Sequence, residues 1–126
     1  MKLTVLVDNN TYIDQYYAGE PAVSYYIEID DLKILFDTGY SHFFIKNAVS
    51  MGIDLNAVTH IVLSHGHNDH SRGLKYLREQ YALPNARLVA HPLCFRPKSY
   101  ENEYIGAPFS LGKLYFPGSD SGALQL

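Results

Sequence analysis

Residues 60 to 72 constrain the fold more than any other stretch. His60-Ile61-Val62-Leu63-Ser64 reads as a short buried strand, apolar at consecutive positions, so that both of its faces need cover. It runs straight into His65-Gly66-His67-Asn68-Asp69-His70, after which Ser71 stands where it can cap a helix beginning at Arg72. Open α/β sheets tend to place their sites where a strand ends in a polar cluster and hands on to a helix. Three of the six histidines fall within these six residues, with an aspartate among them. Neutral imidazole and carboxylate are the usual ligands of Zn²⁺, and they also suit manganese and iron. In an extended segment alternate side chains point the same way, so His65 and His67 can close on one metal. Asp69 and His70, as neighbours, diverge and can serve a second metal or hold a water. Gly66 lets the backbone pass close to an ion. The bland alternative is a chance polar loop, and a structural zinc site would want four closed ligands, usually including cysteines.

The flanking chain reads as an alternation of strands and helices. Lys2 to Val7 is a first strand, followed by the turn cluster Asp8-Asn9-Asn10-Thr11 and a loop from Tyr12 to Glu20. Ala22 to Ile29 and Leu32 to Phe36 form a β-hairpin turning at Asp30-Asp31. Val23, Tyr25, Ile27 and Ile29 share one face, and Ser24, Tyr26 and Glu28 the other. Asp37 ends the hairpin, and on its own residues reads as an Asx turn or helix cap before Gly39. Ser41 to Met51 has helical spacing, with Phe44, Ala48 and Met51 on one stripe, Ile45 and Val49 beside it, and Gly52 to end it. His42 in its first turn reads as solvated. A short connector from Asp54 to Val58 leads to His60, which is expected to pack or hydrogen-bond. Arg72 to Tyr81 is a second helix, with Leu74, Leu77 and Tyr81 inward. Ala86 to His91 is a further strand closed by Pro92. His91 ends it on the side of the histidine loop, a candidate for the surroundings of the site more than for direct ligation. Lys98 to Tyr104 is polar and expected to be exposed.

The H-x-H-x-D-H order resembles the signature of the metallo-β-lactamase superfamily. Ile34-Leu35-Phe36-Asp37-Thr38-Gly39 and the run from Met51-Gly52-Ile53-Asp54 into Ser64 are similar to that family's approach to its ligand loop. Val7-Asp8-Asn9-Asn10 and Ile105-Gly106-Ala107-Pro108-Phe109 resemble a branch of prokaryotic metal-dependent hydrolases. That branch includes proteins similar to dihydropterin ribofuranosylaminobenzene phosphate synthase. The resemblance spans residues 1 to 109, with 110 to 126 as an unmatched, irregular tail. It implies the first half of an αββα sandwich: an α/β fold with one mixed sheet and helices on one face. It implies that His65 and His67 hold a first metal and Asp69 and His70 a second, with Zn²⁺ foremost and Mn²⁺ or Fe possible. Asp69 would orient or deprotonate the nucleophile, and Asp37 would steady the ligand loop from behind. The activity implied is hydrolysis of an ester, amide or phosphoryl bond in a small-molecule substrate by metal-activated water. The family often has two glycines after the motif, and here the pair reads Arg72-Gly73.

Composition limits the alternatives. With 126 residues there is room for one small domain with a real core. A net charge of −3 makes no electrostatic case for nucleic acid or a membrane surface. The single cysteine, Cys94, excludes an internal disulfide and fits a reducing cytoplasm, and it reads as a small buried hydrophobe. The chain opens on a strand-like run, not a signal peptide, and has no apolar run long enough to span a membrane. Beyond His70 the remaining histidine is His91, and Asp120 lies in the tail, so the family's later ligands find no match. The chain is therefore expected to be truncated and weakly active alone, or else a silent metal-binding or self-assembling fragment. A sheet face left without its second layer is expected to pair with another copy, giving a homodimer.

Overall fold

A computed structural model describes residues 1–10 and 17–108. The expected tail from Ser110, and the Thr11 to Tyr16 part of the first loop, lie outside the described residues. Five strands make one mixed sheet in chain order: β1 (Lys2–Val7), β2 (Ser24–Ile29), β3 (Leu32–Phe36), β4 (His60–Val62) and β5 (Arg87–Val89). β1, β2 and β3 pair antiparallel with one another in that order; β4 pairs parallel with β3, and β5 parallel with β4. The change of sense has a simple cause. The β2–β3 link is a tight turn at Asp30, which takes a positive φ of 50°. The β3–β4 link instead carries α1 (Phe43–Ser50), long enough for the crossover a parallel pair needs. The parallel ladder runs past β4, because the Asp37 amide donates to Val62 O at 2.8 Å and the Leu63 amide to Val89 O at 3.0 Å.

After β4 come α2 (Asn68–Ser71) and α3 (Gly73–Gln80), and after β5 a 3₁₀ turn over Pro92–Phe95 and a small exposed hairpin, β6 (Ser99–Tyr100) with β7 (Glu103–Tyr104). One core joins the helices to one face of the sheet. Tyr26, Leu35, Ile61 and Leu88 lie buried in it with Phe44, Ala48, Leu74 and Leu77. On the opposite face Leu3, Val5 and Leu32 are 51%, 44% and 41% exposed, and Tyr25, Ile27, Ile34, Phe36 and Val62 are half-buried. The face richer in apolar residues is thus the less buried one.

Three local expectations are corrected. The helix read from Ser41 begins at Phe43, and its inward stripe includes Asn47, while Val49 is exposed. Asn47 is held inside by polar partners: its amide nitrogen donates to Leu6 O at 2.7 Å and Ala18 O at 2.8 Å, and its side-chain oxygen accepts from the Ala18 amide at 2.9 Å. A buried amide so satisfied clips the loop before β2 to the end of β1. Ser71 is also not the cap of the second helix. It is buried inside α2, and its hydroxyl donates back to His67 O at 2.8 Å.

Gly73, the second residue of the Arg72-Gly73 pair, sits where a side chain has no room. A Cβ there would stand 2.0 Å from Thr38 O and 2.7 Å from the Phe44 ring. Gly73→Ala is therefore expected to destabilise the chain by about 1–3 kcal/mol through overpacking. Gly52→Ala, where φ is +73° but nothing lies within 4 Å, should lose only about 1 kcal/mol through backbone strain. Denaturant unfolding of both variants checks the difference.

Candidate metal centre

The centre is built around Asp37. Its backbone adopts a left-handed φ of 55°, and its side chain is 1% exposed at the end of β3. Parallel pairing brings Ser64, just past β4, alongside it. The Ser64 amide donates to Asp37 Oδ1 at 2.8 Å and the Ser64 hydroxyl to Oδ2 at 2.6 Å. The third partner comes from α2, where His70 Nδ1 lies 2.8 Å from the same Oδ2. Thr38 adds a second clasp, its amide and hydroxyl both donating to the His70 carbonyl, at 2.7 and 3.0 Å.

These bonds decide which ring nitrogens are left for other work. A carboxylate only accepts, so His70 Nδ1 carries the proton, and in the neutral ring Nε2 keeps its lone pair. Ser64 has one hydroxyl proton, and it goes to Asp37. The 2.9 Å contact between Ser64 Oγ and His65 Nδ1 is then donated by the histidine, which leaves His65 Nε2 with its lone pair too. One buried carboxylate thus sets the tautomers of two histidines, directly in one case and through a hydroxyl in the other.

The histidine rings converge. The centroids of His65 and His70 are 4.1 Å apart, and those of His65 and His67 4.8 Å. His65, Asp69 and His70 each offer a ligand atom within 4.8 Å of the other two. Asp69 Oδ2 stands 3.5 Å from His70 Nε2. Two donors on one tetrahedral zinc, each about 2.1 Å from it, are about 3.4 Å apart, so this pair already has the separation a shared ion needs. The remaining separations would have to close by about an ångström. Asp69 and His70 do not diverge as neighbours in a strand would, because they lie on α2, where successive side chains turn by about 100°. His67 is outside this group of three. It is exposed at the N-cap of α2, its carbonyl accepting from the His70 and Ser71 amides.

Gly66 is required by protein packing: a Cβ there would stand 1.9 Å from Cys94 O. The 3₁₀ turn after β5 is therefore pressed against the histidine loop. His91 caps that turn, its Nδ1 accepting from the Leu93 amide at 3.1 Å, and it shares a surface depression with Ser64, His65, Cys94 and Lys98. The Cys94 thiol is buried, and burial pushes its pKa up, which makes it a poor nucleophile. Sequence reasoning passed over Ser64 and Thr38 as participants. Their signal was position alone, immediately before the first histidine and immediately after Asp37. Nothing in the sequence linked Cys94 to Gly66.

The profile of the metallo-beta-lactamase superfamily matches residues 17–115. The chain belongs to this superfamily. It is 36% identical over 104 residues to an uncharacterized protein of Methanocaldococcus jannaschii, a match covering 82% of this chain and 40% of that protein. It is 33% identical to Tm1679, described as a metal-dependent hydrolase of the beta-lactamase superfamily, with a TM-score of 0.65 over 83% of this chain and 36% of that one. BJP-1, a subclass B3 metallo-beta-lactamase of Bradyrhizobium japonicum, is similar at 25% identity and a TM-score of 0.56, over 86% and 42% of the two chains. The chain thus spans well under half the length of these relatives. No helix among the described residues is long and apolar enough to cross a membrane.

His65 links this geometry to pH. Burial, then the neighbouring His70 and His67, lower its pKa, outweighing the attraction of Asp37 and Asp69. The folded chain thus resists a proton that the unfolded chain accepts near pH 6.5, and stability falls as pH drops through that value toward the lower folded pKa. Unfolding of the metal-free chain between pH 7 and pH 5 should show this loss, and His65→Gln should reduce the slope.

Proposed function

We propose that the chain is the metal-binding part of a metal-dependent hydrolase acting on small molecules. The observation that carries the proposal is the His65, Asp69 and His70 cluster, with two ring nitrogens freed by one buried carboxylate. Three imidazole and carboxylate donors suit Zn²⁺ best, with Mn²⁺ or Fe as alternatives. In this reading His65 and His70 hold an ion together with Asp69, and His67 reaches in from the ring beside His65. The superfamily's two-metal pairing, His65 with His67 and Asp69 with His70, uses the same four side chains. When bound, such an ion supplies Lewis-acid activation of water and of the oxygen under attack.

The chain's own residues hold and aim the donors. Asp37 keeps both Nδ1 atoms engaged, the kind of support that typically changes metal affinity about 10–100-fold when removed. Asp69, half-buried beside His70, is placed to take and orient a proton of the attacking water. His91, on the rim beside His65, lines the approach. We assign the chain to the branch that includes proteins similar to dihydropterin ribofuranosylaminobenzene phosphate synthase. The Ile105 to Pro108 stretch that resembles this branch packs on the ligand loop, with the Asn68 amide donating to Ile105 O at 2.8 Å. We place it in the cytoplasm, where a lone cysteine stays reduced.

Zn²⁺ and Mn²⁺ titration calorimetry tests the centre. Wild type and His42→Ala should bind alike, His70→Ala should lose binding, and Asp37→Asn should weaken it about 10–100-fold. Turnover of phosphodiester, lactone and thioester substrates by the 126-residue chain should be slight, because these donors fall short of three protein ligands for each of two ions. Robust hydrolysis lost in His65→Ala would overturn the reading of an incomplete site. Calorimetric binding that survives His70→Ala would remove the loop as the centre.

The exposed apolar face supports a second element, a homodimer. Leu3, Val5 and Leu32 with the half-buried Tyr25, Ile27, Ile34, Phe36 and Val62 form one sheet surface. Covering roughly 400 Å² of it is worth about 10 kcal/mol before the cost of association. A two-fold pairing of sheet on sheet would supply that cover. Light scattering on a chromatography peak should give twice the chain mass, and Val5→Lys should shift it toward monomer. A wild-type monomer at micromolar concentration would sink the dimer.

A further inference from the structure

Arg72 is left over by everything above. Position 73 must be glycine, but position 72 carries no such constraint, and its side chain leaves the core. The guanidinium carbon lies 4.9 Å from the centre of the Tyr40 ring. No carboxylate of the described residues forms an ion pair with it. In a chain of net charge −3, an arginine held over an aromatic ring, with no acidic partner among the described residues, is a cation open to an anionic ligand.

What surrounds it is a built cavity. About 230 Å³ of space is lined by Tyr40, Asn68, Arg72, Tyr104, Gly106 and Pro108. Asn68 and Arg72 stand four residues apart across α2, so their side chains share a face. The opposite wall is the segment after the small hairpin. The Asn68 amide fixes it to α2 through Ile105 O at 2.8 Å, and the Tyr104 hydroxyl donates to Ala107 O at 2.6 Å. The Asn68 side-chain nitrogen reaches Tyr104 O only at 3.5 Å, a long contact that leaves donor capacity. The cavity therefore offers the planar fork of a guanidinium and an amide donor between two tyrosines. Asp69 and His70 lie between Asn68 and Arg72 in sequence; at about 100° per residue Asp69 adjoins the Asn68–Arg72 face and His70 turns to the far side of the helix.

We propose that Arg72 and Asn68 form a recognition subsite for an oxyanion, a carboxylate or phosphate group carried by the substrate. Guanidinium recognises both groups through paired hydrogen bonds. Such a subsite would anchor one end of a molecule on the helix face next to Asp69, which is how binding energy remote from the reacting bond becomes orientation. Calling the anion part of a substrate rests on the hydrolase reading; the anion site itself does not.

The test uses the metal-free, ¹⁵N-labelled chain in chelator, titrated separately with inorganic phosphate and with acetate and followed by two-dimensional NMR. Saturable shifts at Tyr40, Asn68, Arg72 and Tyr104 are expected. Arg72→Met should weaken binding about tenfold or more, with Arg72→Lys in between. Arg96→Met, which removes the same charge elsewhere, should change nothing. Saturation by phosphate alone assigns a phosphoryl group, and by acetate alone a carboxylate. No saturable shift with either probe, or binding that persists in a well-dispersed Arg72→Met spectrum, overturns the subsite. Because no metal is present, that failure is separate from any failure of the metal centre, which calorimetry reads independently.

Discussion

The Asp37 carboxylate is the interaction on which the rest depends. It sits almost wholly out of water and accepts from the Ser64 amide, the Ser64 hydroxyl and His70 Nδ1. A buried carboxylate without such partners would be strongly unfavourable, and hydrogen bonds to a charged group contribute about 1.5–3 kcal/mol each when they are made. The Asp37 carbonyl accepts in turn from the buried Ser24 hydroxyl at 2.8 Å. One residue thus ties β2, the end of β3, the start of the histidine loop and α2 into a single unit. Its left-handed backbone turns the chain out of the sheet at the point where the side chain must turn in.

The sheet makes a second constraint visible. Its helix side is closed by Phe44, Ala48, Leu74 and Leu77 over Tyr26, Leu35, Ile61 and Leu88. Its other side carries the larger share of branched and aromatic residues and the smaller share of burial. Strands flanked by helices on one side alone would be expected to alternate apolar with polar. Here β3 and β4 do not, and β2 alternates in the reverse sense, with Ser24 and Tyr26 inside and Tyr25 and Ile27 half out. Such strands are suited to a layer on each face.

Much of this was legible in the sequence, and what was missed has a physical cause in each case. β1, the hairpin turn at Asp30 and β3 followed from β-branched runs and turn residues, which are local signals. The four ligand-type residues stood out because their chemistry is rare at such density. Val49 is exposed and Asn47 buried because periodicity scores polarity but not partners; Asn47 is inside where Leu6 O and Ala18 satisfy it. α2 was missed because the same residues read as well in an extended loop, and only the packing of Gly73 on Thr38 and of Ser71 on His67 selects the helical turn. Gly66 signalled a close approach without saying to what, and Cys94 is 28 positions away along the chain.

The Asp37 bonds to Ser64 and His70 span 27 and 33 residues of chain. They cannot form until α1 has completed the crossover and β4 has paired with β3, so the support for the cluster has no local precursor in the unfolded chain, although His65, Asp69 and His70 are themselves neighbours in sequence. Closing such separations costs chain entropy that the bonds must repay. A ligand of His65, Asp69 and His70 can meet the same neighbouring side chains in the unfolded chain, so what the fold adds is the aim that Asp37 and Ser64 give the two rings. The difference between its affinities for the folded and the unfolded chain enters the folding equilibrium. Occupancy of the cluster and persistence of the fold would then rise and fall together.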